Sequence, residues 1–314
     1  MNAIRHSSPA KVSTIIAAYN AEQTIAQTIE SALAQNFDSH EIVVVNDGST
    51  DSTAAILEQY GNNIRAITQA NRGAAAARNT GVVHSTGKYV AILDSDDLWQ
   101  PGKLKTMVGA LERNPHATLA FSEYTKIDEH GTEFEVSSIG HAPAMEEMMR
   151  SFPPILTSTL VISRERLNRC GGLDEKFKVQ GFEDLWLLLL LRELGEFVYV
   201  PDKLTRYRVS AGAESADKYV RGFPTFVALV RERYGRAGKT LIRSAKNMQC
   251  RWMLSKIAHR MDRGDRLGAL TTLVQIAGLR PAYLVSAECL NRLFLPQNVR
   301  RVRELTWRAS RARC

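Results

Sequence analysis

The chain has 314 residues, 44% of them hydrophobic and 24% charged. That globular balance excludes a disordered or fibrous polypeptide and leaves room for one large domain or two modest ones. The net charge of +8 is uneven: residues 235–314 carry 17 Lys and Arg against 4 Asp and Glu, while residues 1–234 carry 24 against 29. The cysteines (Cys170, Cys250, Cys289, Cys314) form no CxxC pair. Their scatter argues against a zinc ribbon or a disulfide scaffold and fits a reducing compartment. No apolar run nears the roughly 18 residues of a membrane span, and the first residues lack a signal-peptide core, so a cytoplasmic protein is expected.

In chain order, Lys11–Tyr19 (KVSTIIAAY) is a short apolar run that reads as a buried strand. Asn20, with Gln23 three residues on, predicts a helix cap before the stripe Ile25, Ile29 and Leu33. Glu41–Asn46 is a second strand, followed by the turn DGSTDST and a short helix at Ala54–Tyr60. Ile64–Thr68 is a third strand, Gly73–Val83 an Ala-rich helix and Tyr89–Leu93 a fourth strand ending in DSDD. Pro101 suits the first turn of the next helix, whose Leu104, Val108 and Leu111 face inward. Ala117–Ile127 and Thr157–Ser163 read as strands, Phe182–Leu194 as a helix stopped by Gly195, and Phe197–Val209 as extended. From about Ala216 the pattern is helical and basic, and Ser210–Ala216 is the candidate boundary. Alternating strands and helices predict an α/β fold with a mainly parallel, Rossmann-like sheet and ligands beyond the carboxyl ends of its strands. The expected division is residues 1–215 as the catalytic domain and 216–314 as a basic helical extension.

Three acidic clusters stand where strands end or helices begin. Asp47 follows the second strand, where a carboxylate can accept an N–H from a ligand or form a plain Asx turn. Asp94, Asp96 and Asp97 leave the fourth strand together. Three carboxylates in four residues repel one another, and hard oxygens in that pattern suit Mg²⁺ or Mn²⁺ on a diphosphate. Glu183 and Asp184 open a helix, whose dipole favours ionised acids, and either could act as a general base. Arg78 lies in the Ala-rich helix, where it could reach a phosphate or a carboxylate.

The ordered set AAYN, VVVNDGSTD, NRGAAAARNTG, YVAILDSDD and GFEDLW resembles a family 2 glycosyltransferase of GT-A fold over about residues 10–210. The resemblance implies inverting transfer of a sugar from a nucleotide diphosphate, a UDP- or dTDP-sugar being favoured. It implies that Ala18, Tyr19 and Asn20 line the nucleotide pocket, that Asp47 meets the base, and that Arg78 borders the base or diphosphate. Asp94 and Ser95 would contact the donor, with Asp94 and Asp96 as the metal-binding motif for Mn²⁺ or Mg²⁺, Asp96 the direct ligand. Asp184 would be the base. Departures are Ala18 where the family often has Pro, Trp186 where a second Asp is frequent, and Ser210 where a His often follows the Tyr207–Arg208 pair. Gln249–Trp252 resembles the QxxRW motif of processive synthases and is treated as coincidence.

The basic tail implies an anionic partner. Leu267–Leu279 and the arginines of Asn298–Cys314 suit an anionic membrane surface, and hence a peripheral protein acting on a glycan or lipid-linked acceptor in cell-surface polysaccharide synthesis. No nucleic-acid motif accompanies the charge, and an exposed tail helix could equally form a homodimer. Two other readings stand beside the transferase. One is a metal-dependent phosphohydrolase of haloacid dehalogenase type, although Leu98 replaces the Thr that family needs. The other is a nucleotide-sugar-binding protein without catalysis.

Overall fold

Valine and isoleucine crowd the first strands because helices cover both faces of the sheet they build. The computed structural model describes residues 11–137, 139–177, 181–209, 214–262 and 264–284. The strands are β1 (Val12–Ala18), β2 (His40–Asn46), β3 (Arg65–Thr68), β4 (Tyr89–Asp94), β5 (Leu98–Trp99), β6 (Leu119–Ile127), β7 (Glu133–Val136), β8 (Leu160–Ser163) and β9 (Phe197–Arg208). They form one sheet in the order β3-β2-β1-β4-β8-β6-β9-β5, with β7 beside β6. β3, β2, β1 and β4 are parallel neighbours, as expected. Beyond β4 the sheet turns mixed: β8 is antiparallel to β4 and β6, β9 is parallel to β6, and β5 is antiparallel to β9. The expectation of a mainly parallel sheet therefore holds for its first half only. β5 and β7 are too short to register as periodic runs.

The helices are α1 (Ile25–Leu33), α2 (Thr53–Glu58), α3 (Ala74–Val83), α4 (Lys103–Arg113), α5 (Met145–Arg150), α6 (Arg164–Arg169), α7 (Glu183–Leu194), α8 (Glu214–Tyr234), α9 (Lys239–Asp262), α10 (Arg266–Leu279) and α11 (Pro281–Leu284). Strand alternation sends Ile16 and Val44 into one core with Ile25 and Ile29 of α1 and Leu104 and Met107 of α4. It sends Ile15, Val43 and Val45 to the other face, into a core with Ala75 and Ala77 of α3 and the leucines of α7. Gly81 of α3 lies so close to β1 that a Cβ there would stand 2.5 Å from Ile15.

Three local expectations shift. Asn20 does not cap α1; it takes a left-handed conformation and its Oδ1 accepts from the Thr50 amide at 2.8 Å, while α1 starts after Thr24. Pro101 sits in a turn closed by Gly102, and α4 begins at Lys103. Thr157–Thr159 is a single 3₁₀ turn leading into β8. Residues 210–213 and 298–314, read above as a boundary and a basic end, lie outside the described residues.

The helical region begins inside the main core. Phe223, Phe226, Leu229 and Val230 of α8, and Leu241 and Ala245 of α9, share one cluster with the sheet and α7. Only from Cys250 onward do α9, α10 and α11 form a small core of their own, with Met253, Leu254, Ile257, Ala269, Ile276 and Tyr283. Among the described residues, no helix is long and apolar enough to cross a membrane.

Candidate active site

The parallel register brings the acidic candidates to one edge. Ala18 pairs with Asn46 and Ala17 with Asp94, so β1, β2 and β4 end side by side. The Asp47 amide extends this ladder by donating to the Ala18 carbonyl at 2.8 Å. The Asp47 carboxylate is buried and accepts from Gln69 Nε2 at 2.7 Å and from the amides of Arg72 at 2.9 Å and Gly73 at 2.8 Å. It thus holds the entry to α3. Gly48 permits the turn: its φ is +74° and a Cβ would stand 2.8 Å from the Asn71 nitrogen. Tyr19 is 52% exposed beside it, and Asn20 ties the end of β1 to the Ser49–Thr50 turn.

After β4 the DSDD loop is held from three sides. Thr24, just before α1, and Thr28 within it donate to the Ser95 carbonyl at 2.8 and 3.0 Å. Arg208, at the end of β9, gives its backbone N–H to Asp97 Oδ1 and its Nε to the Asp96 carbonyl, both at 2.8 Å. The rest of its guanidinium reaches the Asp128 and Glu129 carbonyls and Gln27 Oε1. The four residues then diverge. Asp94 accepts from Arg78 Nη2 at 2.6 Å and Thr157 at 3.3 Å. Asp97 is wholly buried, and burial plus the charges of Asp96 and Asp94 push its carboxyl well above the carboxylate range. Beneath it Lys103, also fully buried, bonds Ser122, Thr159 and Thr205, and burial lowers its ammonium to about 7 against the pull of Asp97. Asp96 is half-buried at the rim.

The repulsion expected among these carboxylates is therefore relieved within the chain, by Arg78 and by the neutral tendency of Asp97. The donor set still fits a divalent cation of the kind that takes one or two carboxylates and completes its shell with substrate phosphates and water. Among the described residues no three His, Cys, Asp or Glu side chains converge as a protein cage. Asp96 at the rim would be the hard ligand, with Asp94 beside it in its pairing with Arg78.

Asp184 opens α7 behind this edge. Phe182 precedes the helix in a left-handed conformation, φ +78°, and Glu183 Oε2 accepts from the Gly181 amide at 2.5 Å. Burial, then the charge of Glu183, raise the Asp184 carboxyl to about 7, opposed by the Leu185 amide and by Arg78. Arg78 is buried between the two acidic groups: it bonds Asp94, and its Nη1 lies 3.6 Å from Glu183. Burial works against its charge, but Asp94 and Glu183 more than restore it. Its Nε and Nη1 have no hydrogen-bond partner among the described residues. The turn is braced from outside by α8. The Phe226 ring stacks on Phe182 with centroids 4.6 Å apart, and a Cβ on Gly222 would stand 2.2 Å from the Gly181 carbonyl oxygen. Trp186 packs edge-on against Phe226 and Tyr234, so the aromatic departure at this position meets the helix that covers it.

Residues 13–170, half the chain, match the family model described as glycosyl transferase family 2. The chain belongs to this family. A relative from Rickettsia bellii, an uncharacterized glycosyltransferase, is 34% identical over 50% of this chain and 24% of its own length. The chain thus spans about a quarter of that protein. An Escherichia coli relative named UDP-Glc:alpha-D-GlcNAc-diphosphoundecaprenol beta-1,3-glucosyltransferase WfaP is 33% identical over 66% of this chain and 81% of its own. The Staphylococcus aureus TarS 1–349 structure in complex with UDP-GlcNAc superposes with a TM-score of 0.56 at 17% identity, covering 86% of this chain and 81% of that one. At that identity the likeness establishes the GT-A type of fold.

Asp47, Arg78, Asp94 and Asp96 lie within the matched residues 13–170 and Asp184 lies beyond them; the fold sets Asp47, Asp94 and Asp96 at the ends of β2 and β4, with Arg78 between Asp94 and the first turn of α7. Asp47 is linked to Arg78 only through α3. Three supporting residues were given no role from the sequence. Gln69 shares Asp47 with the start of α3, Arg208 clamps the DSDD loop, and Gly222 lets α8 touch the turn before Asp184. Arg208 carried one visible signal, its place in the Tyr207–Arg208 pair before Ser210; Gly222 carried none.

Proposed function

We propose that this family 2 protein is an inverting glycosyltransferase that moves a sugar from a UDP- or dTDP-sugar to a hydroxyl of a lipid-linked glycan acceptor. The observation that carries the reading is Asp184: a carboxyl raised to about 7, set across the buried Arg78 from the Asp94–Asp96 loop. A base with a pKa near the working pH is best matched to removing a hydroxyl proton as the bond forms. The acceptor oxygen bonds to the anomeric carbon while the bond to the diphosphate oxygen breaks. Asp184 takes the acceptor proton, and a single displacement inverts the centre. Tyr19 offers a face for the nucleobase, and Asp47 Oδ2, which accepts from the Gly73 amide, has a second lone pair for the nucleobase N–H. Mg²⁺ or Mn²⁺ held by Asp96, with Asp94 beside it, would supply Lewis-acid stabilisation of the leaving diphosphate. Arg78 keeps positive charge next to that loop through the reaction. The lipid-linked acceptor is supported by the E. coli relative, whose name places its acceptor on diphosphoundecaprenol.

Calorimetry tests the donor half. UDP or dTDP should bind in Mg²⁺ or Mn²⁺ and not in EDTA, and Asp96→Ala should abolish the metal-dependent part. Equal binding in EDTA would remove the metal from the proposal, and no binding of any nucleotide would remove the transferase.

A further inference from the structure

The helix α10 has an unusual outer face. Ala269, Thr272 and Ile276 point into the small core with α9, as an amphipathic helix should. Yet the opposite side is apolar as well: Leu267 is 77% exposed, Val274 64% and Leu270 58%, and they recur at helical spacing. Met261, at the end of α9, is 52% exposed nearby. These four are nearly half of the large hydrophobic residues that the described chain exposes. Polar side chains cost nothing on a solvated helix face, so leucine and valine there indicate a partner.

Charge points to which partner. Arg266 is exposed at the start of α10, and Arg280 follows its last residue. The whole region from residue 235 carries 17 cationic residues against 4 acidic ones. Beyond Leu284 a further 30 residues hold seven arginines (Arg292, Arg300, Arg301, Arg303, Arg308, Arg311, Arg313) against Glu288 and Glu304. A face of three or four apolar side chains binds a bilayer weakly alone. Joined to a basic cluster it provides the two signals that stable peripheral attachment needs.

We propose that the Leu267–Leu270–Val274 face of α10 is a docking surface for an anionic lipid bilayer, with the flanking arginines at headgroup level. The inference rests on the proposed lipid-linked acceptor only for its purpose: docking would keep the enzyme on the surface that holds such a substrate. The physical surface stands apart from that reading.

Flotation of the full chain with phosphatidylglycerol-containing vesicles tests it, against phosphatidylcholine vesicles alone and across a salt series. The wild type should float with anionic vesicles at low salt and be released as salt rises. Leu267→Asp/Leu270→Asp/Val274→Asp changes exposed positions only and should retain the wild-type melting temperature. Its vesicle affinity should fall roughly tenfold or more, since losing even one buried leucine is worth about that much. Equal flotation of the variant, or none by the wild type, overturns the proposal. So does a wild-type dimer that the variant turns into a monomer, because a second copy then occupies the face. UDP binding by the same samples separates this outcome from the transferase reading: a variant that binds UDP but not vesicles supports both, and a wild type that binds vesicles but no nucleotide leaves the docking surface standing while the transferase falls.

Discussion

Burial in the first turn of α7, next to Glu183, lifts the Asp184 carboxyl to about 7, and two measurable consequences have opposite signs. As a base Asp184 works ionised, so the transfer rate should climb as pH rises through about 7 and level off above it. Replacing Glu183 by Gln removes the neighbouring charge, so the acidic limb of that profile should move to lower pH; an unmoved limb would reject the assignment of Asp184. Stability runs the other way. A carboxyl whose folded pKa lies above its unfolded one favours the fold while protonated and loses that contribution as pH rises through about 7. Asp184→Asn keeps the acceptor for the Leu185 amide and removes the penalty. It should abolish transfer, leave UDP binding intact, and raise the melting temperature by a few degrees, roughly 2–4 °C per kcal/mol, more at pH 8 than at pH 5. Thermal melts at the two pH values decide this.

Whole elements, rather than the acidic residues themselves, hold the site in shape. The end of β9 reaches α1, the DSDD loop and the β6–β7 turn through a single guanidinium. Lysine keeps the charge but lacks the planar fork, so Arg208→Lys frees the loop that carries Asp96. Misplacement of a reacting group by about 1 Å costs on the order of 10²-fold. The expected result is a fall in kcat of that order with a raised requirement for Mg²⁺ or Mn²⁺, read by metal titration of the rate. The α8 helix does the same for the turn that carries Asp184. In Gly222→Ala the new methyl would collide with the Gly181 carbonyl, a backbone atom that cannot step aside without moving the turn into α7. Here kcat should drop by a similar order while UDP affinity stays within about twofold, because the proposed nucleotide edge is built from the ends of β1, β2 and β4 and not from the Gly181–Phe182 turn. Equal loss of both quantities would mean that the turn supports the whole sheet.

Across the molecule, legibility follows from how far apart in the chain the causes lie. The strands and helices up to β4 were readable because each declares itself by local periodicity or by apolar runs such as Ile42–Val45. That Asp47 and Asp94 stand on one edge also followed, since parallel strands end together; Asp184 ends no strand, and its place beside Arg78 was not readable. The mixed half of the sheet was not readable: β8, β6 and β9 pair across dozens of residues, and no local signal states which neighbour or direction each takes. Nor was the fate of the DSDD charges, which depends on Arg78 and Lys103 arriving from elsewhere. The boundary expected near residue 215 illustrates the same limit from composition. Charge and helicity change there, yet Phe223, Phe226, Leu229, Val230, Leu241 and Ala245 complete the core that contains Phe182 and Trp186. Removing large buried side chains costs about 2–5 kcal/mol each, several times over the marginal stability of a domain when six are lost together. A chain ended at residue 215 would also strip the cover from the turn before Asp184. It should therefore aggregate or lose its cooperative melt, and a folded, UDP-binding 1–215 fragment would show that the helical region is an appendage after all. Circular dichroism melts of the fragment beside the full chain make the comparison directly.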